Sequence, residues 1–302
     1  MTHQLSPTQI ALLLARHDLP PPTRTERLGA HTWRVNDEVV VRLDPDVVRA
    51  AGISVIYRRL SLAGVAVPTV LALDTLDDQA ALLVRHVPGV SAADIWPTLA
   101  VEQQEALSEQ CGMLLGRIHA VRWPGYGAYN DERHQLGSIG RWKEAFVQRL
   151  TGSAAAVERA RALPLRLVDG VITALNDADS LFESAAPPTL THGRLDWSNV
   201  LIEQTDAGWR ITALLGWRHA LVADAAWEFA QLWLRRAHLY PEADSFMSGY
   251  KAMQPQQPDQ RSRVQLYRLL VFMEGALEAR HAGDEPRRQR WEAALERALG
   301  RR

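Results

Sequence analysis

Thr191-His192-Gly193-Arg194-Leu195-Asp196-Trp197-Ser198-Asn199-Val200-Leu201 lies in a half of the chain where nearly every other periodic segment has helical spacing. The apolar runs around it, Leu190 to Ile202 and Trp209 to Leu215, read as two strands split by the polar turn Gln204 to Gly208. A lone hairpin among helices is marginal unless it packs on something or carries function. With a glycine, an amide and two opposite charges in its first arm, this one is a candidate site.

On either side the spacing predicts helices. Val101 to Ala120, Ile139 to Leu150, Ala154 to Ala162 and Val168 to Ser184 precede the hairpin; Asp224 to Ala237, Ala243 to Met253 and two more follow it. Before Pro88-Gly89 the pattern differs. Ser6-Pro7-Thr8-Gln9 forms a capping box ahead of a short apolar helix. Leu28 to Val35 and Glu38 to Leu43 read as strands joined by Asn36-Asp37, Val47 to Ala63 as a helix, and Pro68 to Leu73 and Ala80 to Val87 as two further strands. The expectation is an α+β chain with a small β-rich lobe over residues 1–88 and a larger helical lobe over 89–302 that carries the hairpin at 190–215.

The chain has 302 residues, 47% hydrophobic and 23% charged, enough apolar content for a full core. A formal net charge of -1 gives no global attraction to nucleic acid or to an anionic membrane. Cys111 is the only cysteine and has no partner for an internal disulfide. Met1 to Gln9 lacks a basic-then-apolar leader, and no apolar run approaches the roughly 20 residues a spanning helix needs. A cytoplasmic setting is expected.

The hairpin's first arm resembles the catalytic loop of aminoglycoside phosphotransferases and choline kinases, where the pattern is His-Gly-Asp, four intervening residues, then Asn. Leu214-Leu215-Gly216-Trp217-Arg218-His219-Ala220 is similar to that family's Ile-Asp-Trp-Glu-x-Ala, and Ala223-Asp224-Ala225-Ala226-Trp227-Glu228-Phe229-Ala230 to its Gly-Asp-Pro-x-x-Asp-Leu-Ala. Val41-Arg42-Leu43 resembles the ATP-facing strand, and Leu115-Gly116-Arg117-Ile118-His119 the helix ending Leu-x-x-Leu-His. The resemblance spans roughly residues 20 to 250. It implies a two-lobed protein kinase-like fold that binds ATP or another nucleotide and, as acceptor, a small molecule such as an aminoglycoside, choline or a sugar alcohol.

Phosphoryl transfer is mostly positioning and charge neutralisation, so it needs a carboxylate to orient the attacking hydroxyl and oxygen ligands for bridging metal ions. In the family these are the Asp of His-Gly-Asp, the loop Asn and the Asp of Ile-Asp-Trp. Here the first is Arg194, the last is Gly216, and only Asn199 remains as a metal ligand. Arginine stays protonated and accepts no proton; glycine offers no side-chain ligand. Gly52-Ile53-Ser54 stands where the helix ordinarily supplies a Glu to the strand cation. Mg2+ is thus left with Asn199 alone of its usual side-chain ligands.

Two readings follow. The first is a pseudokinase-like binding or regulatory protein, with nucleotide as one candidate ligand. The second is an active ATP-dependent small-molecule phosphotransferase using relocated carboxylates, Asp196 or Asp224. Arg194 is a candidate anion ligand in the vacated carboxylate site, and His192 a residue that holds the loop. Gly29, His31 and Thr32 are candidates for the loop over the phosphates, or a plain hairpin, and Arg42 for a phosphate contact, or an exposed strand-end arginine. Asp224 and Glu228, four apart on one helix face, are candidates for bracing the site or lining the substrate cleft. His119 and His219 lack neighbours at metal-ligand spacing. Trp217, Trp227 and Trp233 read as core, and Glu274, Glu278 and Glu285, interleaved with Arg280, Arg287 and Arg288, as a solvated face.

Overall fold

The computed structural model describes residues 5–234, 243–255 and 257–300. Helix α1 (Pro7–Arg16) starts with the expected capping box, Ser6 and Gln9 exchanging backbone and side-chain bonds. Strands β1 (Thr25–Gly29), β2 (Thr32–Val35), β3 (Val39–Asp44), β4 (Val70–Leu76) and β5 (Gln79–Arg85) form an antiparallel sheet in the order β1-β2-β3-β5-β4, with α2 (Val47–Leu62) between β3 and β4. Asn36 and Asp37 turn the β2–β3 hairpin with φ of 52° and 57°. Asx residues tolerate that left-handed pair, and Asn36 Oδ1 accepts from the Thr23 and Arg24 amides.

Alternation along β3 sends Val39, Val41 and Leu43 into a core with Ile10, Leu13 and Leu14 of α1. Val40 and Arg42 therefore face the other side of the sheet, where Val40 packs with Ile53, Ile56 and Leu60 of α2. The sequence predicts one strand from Leu28 to Val35; the chain instead folds back at Ala30-His31, giving β1 and β2.

At the Pro88-Gly89 break the chain leaves this sheet. β6 (Val90–Ser91) pairs with the helical half through β10, and the first helices there are α3 (Ala92–Ile95) and α4 (Val101–Ala120). A short hairpin follows, β7 (Tyr129–Asn130) and β8 (Gln135–Leu136), then α5 (Trp142–Ala160), α6 (Leu165–Asn176) and α7 (Asp179–Glu183). The two helices expected over 139–162 are one. Gly152 sits in open space on α5 and breaks nothing, and the Thr151 hydroxyl donates to the Val147 carbonyl within the same helix. Conversely, the helix expected over 168–184 is two, interrupted where Asp177 closes the last turn of α6.

The expected hairpin is also two pairings. β9 (Thr189–Thr191) pairs with β12 (Leu221–Ala223), while β10 (Val200–Thr205) pairs with β11 (Gly208–Leu214). Residues 192–199 are a connecting loop ending in a 3₁₀ turn, Trp197–Asn199. The chain continues with α8 (Ala225–Leu234), α9 (Ala243–Met253), α10 (Gln260–His281) and α11 (Glu285–Leu299). The end of the helix expected over 224–237 falls partly outside the described residues, as does the Trp233 side chain. Trp217 and Trp227 are fully buried, Trp227 in an aromatic cluster with Trp142, Phe146 and Tyr267.

Candidate functional site

The loop is held from behind by the first turn of α8. Glu228, fully buried, accepts from the backbone amides of His192 and Gly193, the second at 3.3 Å. Gly193 has φ 72°, and a Cβ there would come within 3.1 Å of the His219 carbonyl carbon and closer still to its oxygen, so only glycine fits. His192 Nε2 lies 2.6 Å from the Leu215 carbonyl, and its Nδ1 accepts from the Arg194 amide at 3.2 Å. These partners assign the neutral tautomer with hydrogen on Nε2. The ring also meets Trp217 edge-on at 4.6 Å. His192 ties β9's end to the segment before Trp217.

Asp224 is equally buried. It takes Arg263 Nε at 2.6 Å, the Tyr267 hydroxyl at 2.8 Å and the Ala226 amide at 3.1 Å. The Asp224–Arg263 pair has no solvent exposure on either side chain. Asp224 and Glu228 thus face the interior, joining α8 to α10 and to the loop, with their oxygens already bonded. Arg263 and Tyr267 carry no local signal in the sequence; only the tertiary pairing gives them their part.

In front, Arg194 is 53% exposed, with Nε 3.6 Å from Asp196 Oδ2. Asp196 also accepts from the Ser198 hydroxyl and from Asn199 Nδ2 at 3.2 Å. Asn199 Nδ2 donates in addition to the Arg194 carbonyl at 3.0 Å. Gly216 adopts φ 83°, and a Cβ placed on it would lie 2.5 Å from Asn199 Cγ and closer to Oδ1. The Asn199 carboxamide therefore fills the volume that a side chain at 216 would take.

Gly29, His31 and Thr32 come together at the β1–β2 turn, next to Arg42. Thr32 pairs with Arg42 across the sheet, and the Leu43 amide donates to the His31 carbonyl at 2.9 Å. The turn's own carbonyls are capped by Arg27, which donates to Gly29 O and Ala30 O. Arg42 makes no ion pair among the described residues. On α2, Gly52 abuts Tyr129 and Ser54 is buried, so neither offers it an acid. The nearby carboxylate, Asp44, is bonded to Arg49. Burial would raise its pKa, but Arg49 and the Asp46 amide together outweigh that and lower it.

His119 lies far inside, its Nδ1 2.9 Å from the Tyr250 hydroxyl, and burial depresses its pKa to about 3. Glu274 pairs with Arg149, Glu278 with Arg287 and Glu285 with Arg288. No group of three or more His, Cys, Asp or Glu side chains among the described residues is placed to hold a metal, and no described helix is long and apolar enough to cross a membrane.

The model of the phosphotransferase enzyme family matches residues 25–267. A search of curated proteins returned no match. Among solved structures, a thermostable mutant of aminoglycoside phosphotransferase APH(4)-Ia in ternary complex with AMP-PNP and hygromycin B is similar, with a TM-score of 0.68 at 18% identity over 95% of this chain and 96% of that one. The GDP and kanamycin complex of APH(2")-IIIa is similar at TM-score 0.65 and 16% identity, over 98% and 99% of the two chains. At these identities the likeness carries the two-lobed kinase-like fold.

Proposed function

The chain belongs to the phosphotransferase enzyme family, and from that premise we propose that it is a kinase-fold nucleotide-binding protein that does not carry out ordinary magnesium-dependent phosphotransfer. The observation that carries this reading is the Asn199 carboxamide packed into the space beside Gly216. The residues do not fit Mg2+: position 216 supplies no ligand, Asn199 turns its Nδ2 to the Arg194 carbonyl and to Asp196, and Asp196 is engaged by Ser198 and Arg194. A hard cation wants free carboxylate oxygens.

The same substitutions favour an anion. Relative to the family pattern, the carboxylates at positions 194 and 216 are gone, and Arg194 and Arg218 stand where that pattern has acids. Arg42 offers a further cation without an ion-paired acid among the described residues. Guanidinium groups bind phosphate oxygens through paired, charge-assisted bonds, so a nucleotide's phosphates can be neutralised by the protein instead of by a metal. The bound nucleotides of the similar structures support this choice of ligand. Asp196 as a relocated base is opposed by its three partners, and Asp224 by its full burial.

Calorimetry and thermal shift with ATP test the proposal. Binding in EDTA at least as tight as in Mg2+ is expected, weakened by Arg194→Ala. Sustained ADP release with Mg2+ and an aminoglycoside, choline or sugar acceptor, abolished by Asp196→Ala, would overturn the loss of chemistry. Failure of every nucleotide to raise the melting temperature would overturn the binding.

A further inference from the structure

A cavity of about 300 Å³ opens beside the loop, between α2, the β7–β8 hairpin and the segment after Gly216. Ile53, Ile56, Leu136 and Trp217 give it an apolar lining, and Tyr129 and Arg218 stand among its polar groups. Its volume is at the lower end of what small-molecule sites use.

The charges around it are not equivalent. Arg49 is committed, bonded to both Asp44 and Asp46, and those two acids are committed to it. Arg218, by contrast, makes no hydrogen bond or ion pair among the described residues. The Tyr129 hydroxyl likewise has no hydrogen-bond partner among them; burial and the charge of Asp131 raise its pKa, so it remains a neutral donor. An apolar cavity therefore carries one uncommitted cation and one uncommitted hydroxyl.

From this arrangement we infer that the cavity is a binding site for a small molecule with an apolar body and a single oxyanion head, the head taken by Arg218 and Tyr129 and the body laid against Ile53, Ile56 and Trp217. A polycation is the wrong partner, because Arg218 would face it unpaired. The inference does not depend on nucleotide binding: the cavity and its two polar groups exist without it. Trp217 links the sites, since its ring forms part of this lining and also meets His192.

The test is calorimetry on the full chain with three probes that share one body: phenylpropanoate, phenylpropanol and phenylpropylamine, with kanamycin as a polycation. Saturable binding is expected for the carboxylate, tighter than for the alcohol by about tenfold or more, as a hydrogen bond to a charged group implies. The amine and kanamycin should not compete for it. Arg218→Gln, on an exposed side chain, should erase the carboxylate's advantage and leave the alcohol unchanged. Ala220→Leu, which narrows the cavity, should weaken carboxylate and alcohol alike. Equal binding of amine and carboxylate, or no effect of Arg218→Gln, would overturn the assignment, as would the absence of saturable phenylpropanoate binding to the unaltered chain.

Discussion

At the level of single residues, Gly216 and Asn199 act as one unit. A side chain at 216 meets both a left-handed backbone and the neighbouring carboxamide. Gly216→Asp should therefore destabilise the fold by about 1–3 kcal/mol, and adding Asn199→Ala should recover part of the loss by removing the collision. A double-mutant cycle in urea measures that coupling; simple additivity would contradict it. The identities of Arg194 and Gly216 were legible in the sequence, since both interrupt recognisable motifs. What fills the vacated space was not, because it depends on a side-chain torsion of a residue seventeen positions away. His119 makes a second prediction. Its pKa in the folded chain lies near 3 against an ordinary 6.5, so the neutral form is the one the fold holds. That contribution is intact above about pH 6.5 and is lost as pH falls toward 3, with a slope near 1.4 kcal/mol per unit while only the unfolded chain is protonated. His119→Phe should flatten urea-measured stability against pH in that window.

Among the elements, the tightest packing joins α4 and α9. A Cβ on Gly112 would come within 2.8 Å of the Tyr250 amide nitrogen and closer to the Phe246 carbonyl; one on Gly249 would reach 2.9 Å from the Glu109 carbonyl carbon. Gly116 lies against the Met253 side chain, where a Cβ would come 2.5 Å from Met253 Cβ. These helices touch backbone to backbone, and a methyl group has nowhere to go. Gly112→Ala or Gly249→Ala should each cost about 2–4 kcal/mol by thermal or urea unfolding, although alanine is the better helix former by about 1 kcal/mol. An exposed control, Gly152→Ala on α5, should instead be neutral or stabilising, as its position is open. Most helices were legible from apolar spacing, and the capping box placed α1's start. The joining of 142–160 was not, because a glycine's effect on a helix depends on what lies beside it, and neither was the splitting of 165–183, where α6 ends at Asp177 with no glycine or proline to mark the break. The β9–β12 pairing was hidden for a related reason: its strands are three residues each and separated by 29 intervening positions.

For the whole molecule, one apolar cluster crosses the expected lobe boundary. Ile53, Ile56, Tyr57 and Leu60 of α2 and Leu82 and Val84 of β5 belong with Leu107, Leu114 and Leu115 of α4 and with Trp197 and Trp217. A fragment of residues 1–88 would expose that face, and the expected result is failure to fold alone, read as absent near-UV signal and aggregation, while the full chain melts with both lobes together. A stable, monomeric fragment would show that the sheet and α1 core suffice. The order of elements made the two-lobed architecture readable, whereas the continuity of the core did not show in any local pattern. Glu228 has a further consequence. Its grip on the His192 and Gly193 amides comes from inside the protein, so the backbone of the loop is held by the protein's own contacts. A nucleotide bound as proposed would meet a loop whose backbone is already held and would lose little entropy ordering it. Association should then follow a single exponential whose rate rises linearly with ligand concentration, as stopped-flow mixing would reveal, with no slow isomerisation behind it.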